Sequence, residues 1–334
     1  MKLMKIMFYM IMMLGTMISI SAYSWINIWI GLEINLLTFI PLINLDKFKQ
    51  SSETSMKYFM VQVSASMFIL FSFLHSFFNS NNLEMFDITS NLLFNCAILL
   101  KMGAAPFHIW YSEVMEGLSW MNCILMLTWQ KIAPMILMMY NFKMNLFFMM
   151  IIVISMTISG LKMWNQTSMK KILALSSINH MGWMMGTMFL NQSLWMLYFS
   201  IYSFISINLI LVLKKYNINL IFDLFKLLNN NKQIKFFFFL NILSLGGIPP
   251  FLGFLPKWMI LKILIEKEFY LLSFIMIFMT LLSLYIYMRL ILQSLIFKIS
   301  EKKYYMSLSS YFIYMMNYIN IFGLIIFSSF MSLY

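Results

Sequence analysis

Four ionisable side chains sit where charge is costly. Glu33 lies in WIGLEINLLTFIP, Lys101 in AILLKMGAAPFH, Lys131 in LTWQKIAPMIL and Lys257 in FLGFLPKWMIL, all within long apolar stretches. Placed centrally in a bilayer and charged, each costs about 2.5 to 3.5 kcal/mol on an insertion scale. Three bases against one acid leave at least two lysines without an intramembrane anion. Release of a proton to a neutral form is the expected way out, and a lysine that can do this inside a membrane is a candidate proton relay. A structural ion pair between helices is the competing account of Glu33 and one lysine, but it leaves the other lysines unexplained. For Lys257, nearer a surface, the competing account is snorkelling to the interface. His180, mid-span in SSINHMGW, and His108, in APFHIW, are further relay candidates, with a simple bond to a neighbouring helix as the alternative.

Other chemistries lack their residues. His75, His108 and His180 do not supply two facing pairs for a haem, and Cys96 and Cys123 form no CxxC pair, so neither an iron–sulfur ligand set nor a disulfide framework is supported. No phosphate loop, hydrolase triad or metal site is visible. Glu113 and Glu116 fall in a short connection and read as solvated, or paired with a partner subunit.

The elements that must position these residues follow from composition. Of 334 residues, 62% are hydrophobic and 10% charged, against about a quarter charged in soluble domains. No segment reads as a separate soluble domain, and the first apolar segment reads as a span, not as a removed signal. Runs such as 146–154 are apolar on every face, which a β-barrel strand is not, so the spans are helices. Eleven are expected, beginning near residues 4, 25, 58, 88, 118, 145, 171, 194, 236, 269 and 311. With that count, 17 of the 23 basic residues fall on the side of the N-terminus, Arg289 among them by snorkelling, and only Lys143, Lys262 and Lys267 on the other. A missed or invented span in mid-chain would destroy this asymmetry. The net charge of +12 is therefore a topology signal, not a nucleic-acid footprint. Residues 217–228 read as an interfacial amphipathic segment.

Gly103-Ala104-Ala105-Pro106-Phe107 in span four and Gly247-Ile248-Pro249-Pro250-Phe251 in span nine share a G-x-x-P-F pattern in a chain with six prolines. Both spans are expected to be broken helices. They lie five spans apart, and an odd offset makes the two copies cross in opposite directions. A single membrane domain over 1–334 is thus expected to hold two inverted five-helix repeats, 1–140 and 145–293, followed by a last span at 311–331. Broken helices at matching positions of inverted halves point to an ion or substrate pathway.

Lysine outnumbers arginine 22 to 1, and there are 37 methionines. Both biases fit an A/T-rich gene read with AUA as Met, as in animal mitochondria. The motifs WIGLEINLLTFIP, LLKMGAAPFHIW, LTWQKIAP, NQTSMKKILALSSINHMGW and LSLGGIPPFLGFLPKW, in this order between about residues 25 and 260, resemble those of the subunit 2 family of the mitochondrial proton-pumping NADH:ubiquinone oxidoreductase, respiratory complex I. The resemblance is greatest to insect versions. It implies an antiporter-like membrane-arm subunit without a cofactor of its own, the NADH, FMN, iron–sulfur clusters and ubiquinone belonging to the rest of the complex. It implies that Glu33 pairs with Lys101, that Lys131 is the central relay and that Lys257 leads toward the exit. It also implies the animal form, which starts without three N-terminal helices of bacterial relatives. Implied partners are other membrane-arm subunits, especially 4 and 4L, accessory subunits, and lipids such as cardiolipin.

Two rival readings remain: an Mrp-type or free-standing cation/proton antiporter of the same ancestral fold, and a passive scaffold, which the buried lysines oppose. The resemblance and the lysine asymmetry together predict a multi-pass protein of the mitochondrial inner membrane. The N-terminus and the 162–171 connection face the matrix and the C-terminus faces the intermembrane space. Tag accessibility in mitoplasts checks this, and two termini on one side would refute the span count.

Overall fold

The computed structural model describes residues 2–45, 50–78, 88–141, 145–228, 232–296, 315, 317–321 and 323–324. The chain forms two compact units, Met1–Met144 and Asn145–Tyr334. The first holds α1 (Lys2–Ser21), α2 (Trp25–Asn44), α3 (Ser51–Phe78), α4 (Ile88–Met102), α5 (Ile109–Gly117), α6 (Trp120–Leu127) and α7 (Trp129–Tyr140). The second holds α8 (Asn145–Met163), α9 (Met169–Leu190), α10 (Gln192–Lys215), α11 (Ile221–Leu228), α12 (Lys232–Gly246), α13 (Phe254–Glu266) and α14 (Tyr270–Ile296). One isolated bridge, Ser168 with Leu220, ties the start of α9 to the start of α11.

Ten of the eleven predicted spans coincide with these helices, with α4 and α5, α6 and α7, and α12 and α13 making one interrupted span each. Among the described residues, seven stretches are long and apolar enough to cross a membrane whole. The predicted span at 311–331 lies outside the described residues except for the few named above, which are helical. The predicted amphipathic segment contains α11.

Burial follows the logic of an apolar solvent. Leu3, Met7, Phe71, Phe78 and Leu271 are exposed, whereas Ser72, Asn95, Ser177 and Asn241 are buried. α9 is the clearest case: it is not among the seven stretches, because it carries Ser176, Ser177, Asn179 and His180. All four are buried. α8, α10, α13 and α14 pack around it, and Asn179 donates to Ser283 Oγ on α14 at 3.1 Å. A polar helix can stand at the centre of such a unit because its neighbours, not lipid, meet its side chains.

α1 and α2 pack closely through small residues. A Cβ on Gly31 would stand 2.6 Å from the Ser19 backbone nitrogen and 2.8 Å from the Gly15 carbonyl oxygen, both rigid neighbours. Small residues at such a contact let the two backbones approach and gain dispersion contacts that lipid cannot replace. Gly160, by contrast, has no neighbour nearer than 3.7 Å to its would-be Cβ. Gly31→Ala is expected to cost about 1–3 kcal/mol by overpacking, and Gly160→Ala to be neutral or stabilising. Thermal stability of the solubilised protein tests the pair, and equal tolerance at both sites would refute the close-packing account.

Candidate functional site

Both predicted breaks are present and are built alike. α4 ends at Met102, and Gly103 follows in the left-handed region at φ +70°; α12 ends at Gly246, and Gly247 follows at φ +83°. Gly103 N–H donates to Leu100 O and Ala104 N–H to Leu99 O. Gly247 N–H likewise donates to Ser244 O and Ile248 N–H to Leu243 O. These are Schellman closures with glycine at the left-handed position, which an L-residue occupies only at a cost. The prolines two or three residues on prevent the helix from resuming at once.

A Schellman turn still leaves terminal carbonyls unsatisfied, and in hydrocarbon that is expensive. The two units fill the need differently. In the first, Gln62 of α3 donates from Nε2 to Lys101 O at 3.0 Å. In the second, Lys257 of α13 reaches back across the break and donates from Nζ to Gly246 O at 2.8 Å and Leu245 O at 3.2 Å. Leu245 O and Lys101 O are the corresponding carbonyls, each two residues before the left-handed glycine. Lys257 is 6% exposed and also lies over the Trp183 ring at 5.9 Å. Its side chain turns inward to the break, so the interfacial snorkelling considered from the sequence is not what this structure holds.

Lys101 and Lys131 line one small cavity of about 20 Å³ with Tyr58, Gln62, Tyr111 and Gln130, space for a single water molecule. Lys101 is 7% and Lys131 1% exposed. Lys131 Nζ stands 5.6 Å from the centroid of the Tyr111 ring, within cation–π range. Gly103 makes that position available to Tyr111, because a Cβ there would lie 2.6 Å from Tyr111 Cβ. Gln130 Nε2 donates to Asn35 Oδ1 at 3.0 Å and so fixes the cavity wall between α7 and α2.

Lys131 also sits beside a third interruption that the sequence reading did not foresee. α6 stops at Leu127 and α7 starts at Trp129, with Thr128 at φ −114°, ψ −74° between them. Pro134 stands six residues on, inside α7, and has no N–H to give to Gln130 O, so the turn that follows the gap lacks one helical hydrogen bond as well. Thr128 Oγ1 donates to Ile124 O at 2.7 Å and helps satisfy the turn before the gap.

The other predicted residues are placed as follows. Glu33, half-buried on α2, does not line the cavity, and no direct Glu33–Lys101 ion pair forms among the described residues. His108 is buried at the start of α5 with Nδ1 3.1 Å from Pro106 O, so that nitrogen carries the proton in this contact. His180 is buried on α9 with Nδ1 2.8 Å from Tyr198 Oη and its ring 5.0 Å from that of Tyr202. Glu113 pairs at 3.0 Å with Lys57, which also pairs with Glu53; the side chains are 45–65% exposed. Tyr58, Gln62, Tyr111, Gln130 and Trp183 were not singled out from sequence. Only Gln130 had a local signal, four residues before a proline.

Interrupted helices and buried lysines in an otherwise apolar bundle define an antiporter-like membrane protein. The family model described as NADH:quinone oxidoreductase/Mrp antiporter, TM, matches residues 22–283, and the chain belongs to that family. A relative from Anopheles gambiae named NADH-ubiquinone oxidoreductase chain 2 is 46% identical over 279 residues, covering 83% of this chain and 82% of its own. In the solved structures, respiratory complex I from Thermus thermophilus with bound aureothin contains a chain matching with TM-score 0.78 at 21% identity, over 86% of this chain and 70% of that one. The Mrp complex from Dietzia sp. DQ12-45-1b matches with TM-score 0.75 at 15% identity, over 85% and 59%. At these identities the structural likeness is one of fold.

Gly247 combines a left-handed backbone with a close side-chain neighbour, its would-be Cβ lying 2.8 Å from Lys257 Cδ. Gly247→Ala is therefore expected to cost about 1–2 kcal/mol in backbone strain and to displace the lysine. Reduced thermal stability of the solubilised complex, with lowered activity, is the expected outcome; a variant unchanged in both would refute it.

Proposed function

We propose that this chain is the antiporter-like, proton-translocating subunit of the membrane arm of a respiratory NADH:ubiquinone oxidoreductase. Redox chemistry takes place in other subunits, which hold the NADH, FMN, iron–sulfur clusters and ubiquinone. Glu33, Lys101, Lys131 and Lys257 relay protons, with His108 and His180 as further members. The observation that carries the reading is the small cavity shared by the buried Lys101 and Lys131. Two amines facing one water-sized space can exchange a proton through a single intermediate, whereas two permanent cations there would repel in a poorly screening medium. Glu33, on α2 of the same unit, is the acid of the relay and biases which amine holds the proton. In the second unit Lys257 offers a third exchangeable amine at the other break.

Chain 2 relatives favour this reading over an Mrp-type or free-standing antiporter, because relatedness to them is close along most of the chain while likeness to the Mrp complex is at the level of fold. Co-migration of NADH dehydrogenase activity with the chain during purification separates the two. The same reading places the chain in the mitochondrial inner membrane, with the N-terminus in the matrix and the C-terminus in the intermembrane space. Its spans fall into inverted repeats over 1–140 and 145–293. Its neighbours are subunits 4 and 4L, accessory subunits and anionic lipids such as cardiolipin, which suit the lysine-rich matrix side.

A relay lysine needs an accessible neutral state, which arginine effectively lacks. Lys101→Arg and Lys131→Arg are expected to assemble yet to lose most coupled proton pumping, as are the Lys→Met variants that remove the charge. Proton uptake by liposomes containing the purified complex during NADH oxidation is the measurement. Arg variants that pump like wild type while Met variants fail would make these lysines fixed structural cations.

A further inference from the structure

The last span meets the second broken helix through three buried amides. Asn241 lies in α12, KQIKFFFFLNILSLG, at the one interruption of the apolar run 236–243. Asn241, Asn317 and Asn320 are each 1% exposed. Asn241 Nδ2 donates to Asn317 Oδ1 at 2.6 Å, and Asn320 Nδ2 donates to Asn241 Oδ1 at 2.7 Å. Both ends of one amide are therefore held by two residues three apart on the same helical face. The contact continues into the unwound segment, where Leu252 N–H donates to Asn320 O at 3.4 Å. Gly323 lies directly against the Leu252 side chain, where a Cβ would collide with Cδ1.

We infer that Asn241, Asn317 and Asn320 form a clamp by which the last span fixes the second break and thereby positions the Lys257 ammonium. This rests on Lys257 being a relay residue. The clamp grips the chain on both sides of the carbonyls that hold Lys257: Asn241 lies one turn before Leu245 and Gly246, and Leu252 lies in the unwound stretch after them. Ser244 Oγ donates to Asn241 O at 2.7 Å, and Gly253 presses on Ser244 O, so the turn between the clamp and the lysine is itself tightly held. Displacement of α12 along its axis would carry the two carbonyls away from Nζ. Small residues and side-chain amides both hold helices together in lipid; what sets this contact apart is that it grips the chain on both sides of the two carbonyls that Lys257 serves. The first unit has a parallel: Gln62, also a side-chain amide from a neighbouring helix, supports the first break. Asn241, Asn317 and Asn320 are positioning residues that act through Lys257.

The test uses the assembled complex carrying Asn320→Leu, Asn320→Asp or, as reference, Lys257→Met. Protons translocated per NADH oxidised are measured across pH, relative to wild type at each pH. Asn320→Leu is expected to lower this ratio several-fold at every pH. Asn320→Asp is expected to recover it at low pH, where the protonated carboxyl donates O–H to Asn241 Oδ1, and to lose it as pH rises and the carboxylate faces that oxygen. A role in packing alone would give no such pH-dependent rescue. The clamp is overturned if Asn320→Leu pumps like wild type while Lys257→Met fails, or if Asn320→Asp is equally impaired at all pH values. Failure of both Asn320 variants to assemble, with Lys257→Met assembling, also overturns it, since the triad would then be an assembly determinant. Wild-type pumping by Lys257→Met would instead sink the relay reading of Lys257, and the clamp's purpose with it.

Discussion

A helix that stops inside an apolar medium leaves carbonyls that no water will take over, and every other feature of this chain's chemistry is arranged around that constraint. The two glycine-closed breaks each end in a Schellman turn, which satisfies two carbonyls locally and leaves the rest to side chains from other elements. Gln62 supplies one such group and Lys257 the other. The breaks are therefore the reason that polar residues are needed deep in the bundle. Once polar residues are there, protons have groups to visit.

The local fields at the lysines differ. Lys257 Nζ meets the terminal carbonyls of α12, where the helix end favours a cation, while Lys131 is the third residue of α7, at a helix end that disfavours one. Lys101 lies in the last turn of α4 but faces the same cavity as Lys131. A relay needs sites that do not all prefer the same proton state, and helix ends of opposite polarity provide this without any acidic partner. Glu33 then need not touch Lys101; a half-buried carboxylate acting through a medium of low polarity is enough to tilt one amine against another.

What was legible in the sequence was whatever lies within one helix: spans from apolar length, breaks from Gly and Pro, sidedness from lysine placement, and the family from five motifs. Three-dimensional companions were not. Tyr111 reaches the Lys131 site only because Gly103 lacks a Cβ, and Gln62 finds Lys101 O from a different helix. The Thr128 interruption had no local signal, because no Gly or Pro stands within five residues of it and Pro134 lies six residues on inside α7. Lys257 looked interfacial because it follows a break near a surface, and only the backward reach of its side chain to Gly246 O makes it an interior residue.

The choice of lysine over glutamine at the second break then acquires a reason. Glutamine satisfies a broken helix end, as Gln62 demonstrates, and does so with no penalty for charge. A lysine there must either carry a buried charge or surrender a proton, so as a cap it is the worse residue. Its one advantage is that the carbonyls it serves and the Trp183 face stabilise its charged form, while the apolar surroundings permit a neutral one. A residue inferior as structure, placed where a neutral amide would do the structural work, is what the proposed relay requires of a break and a merely structural break does not.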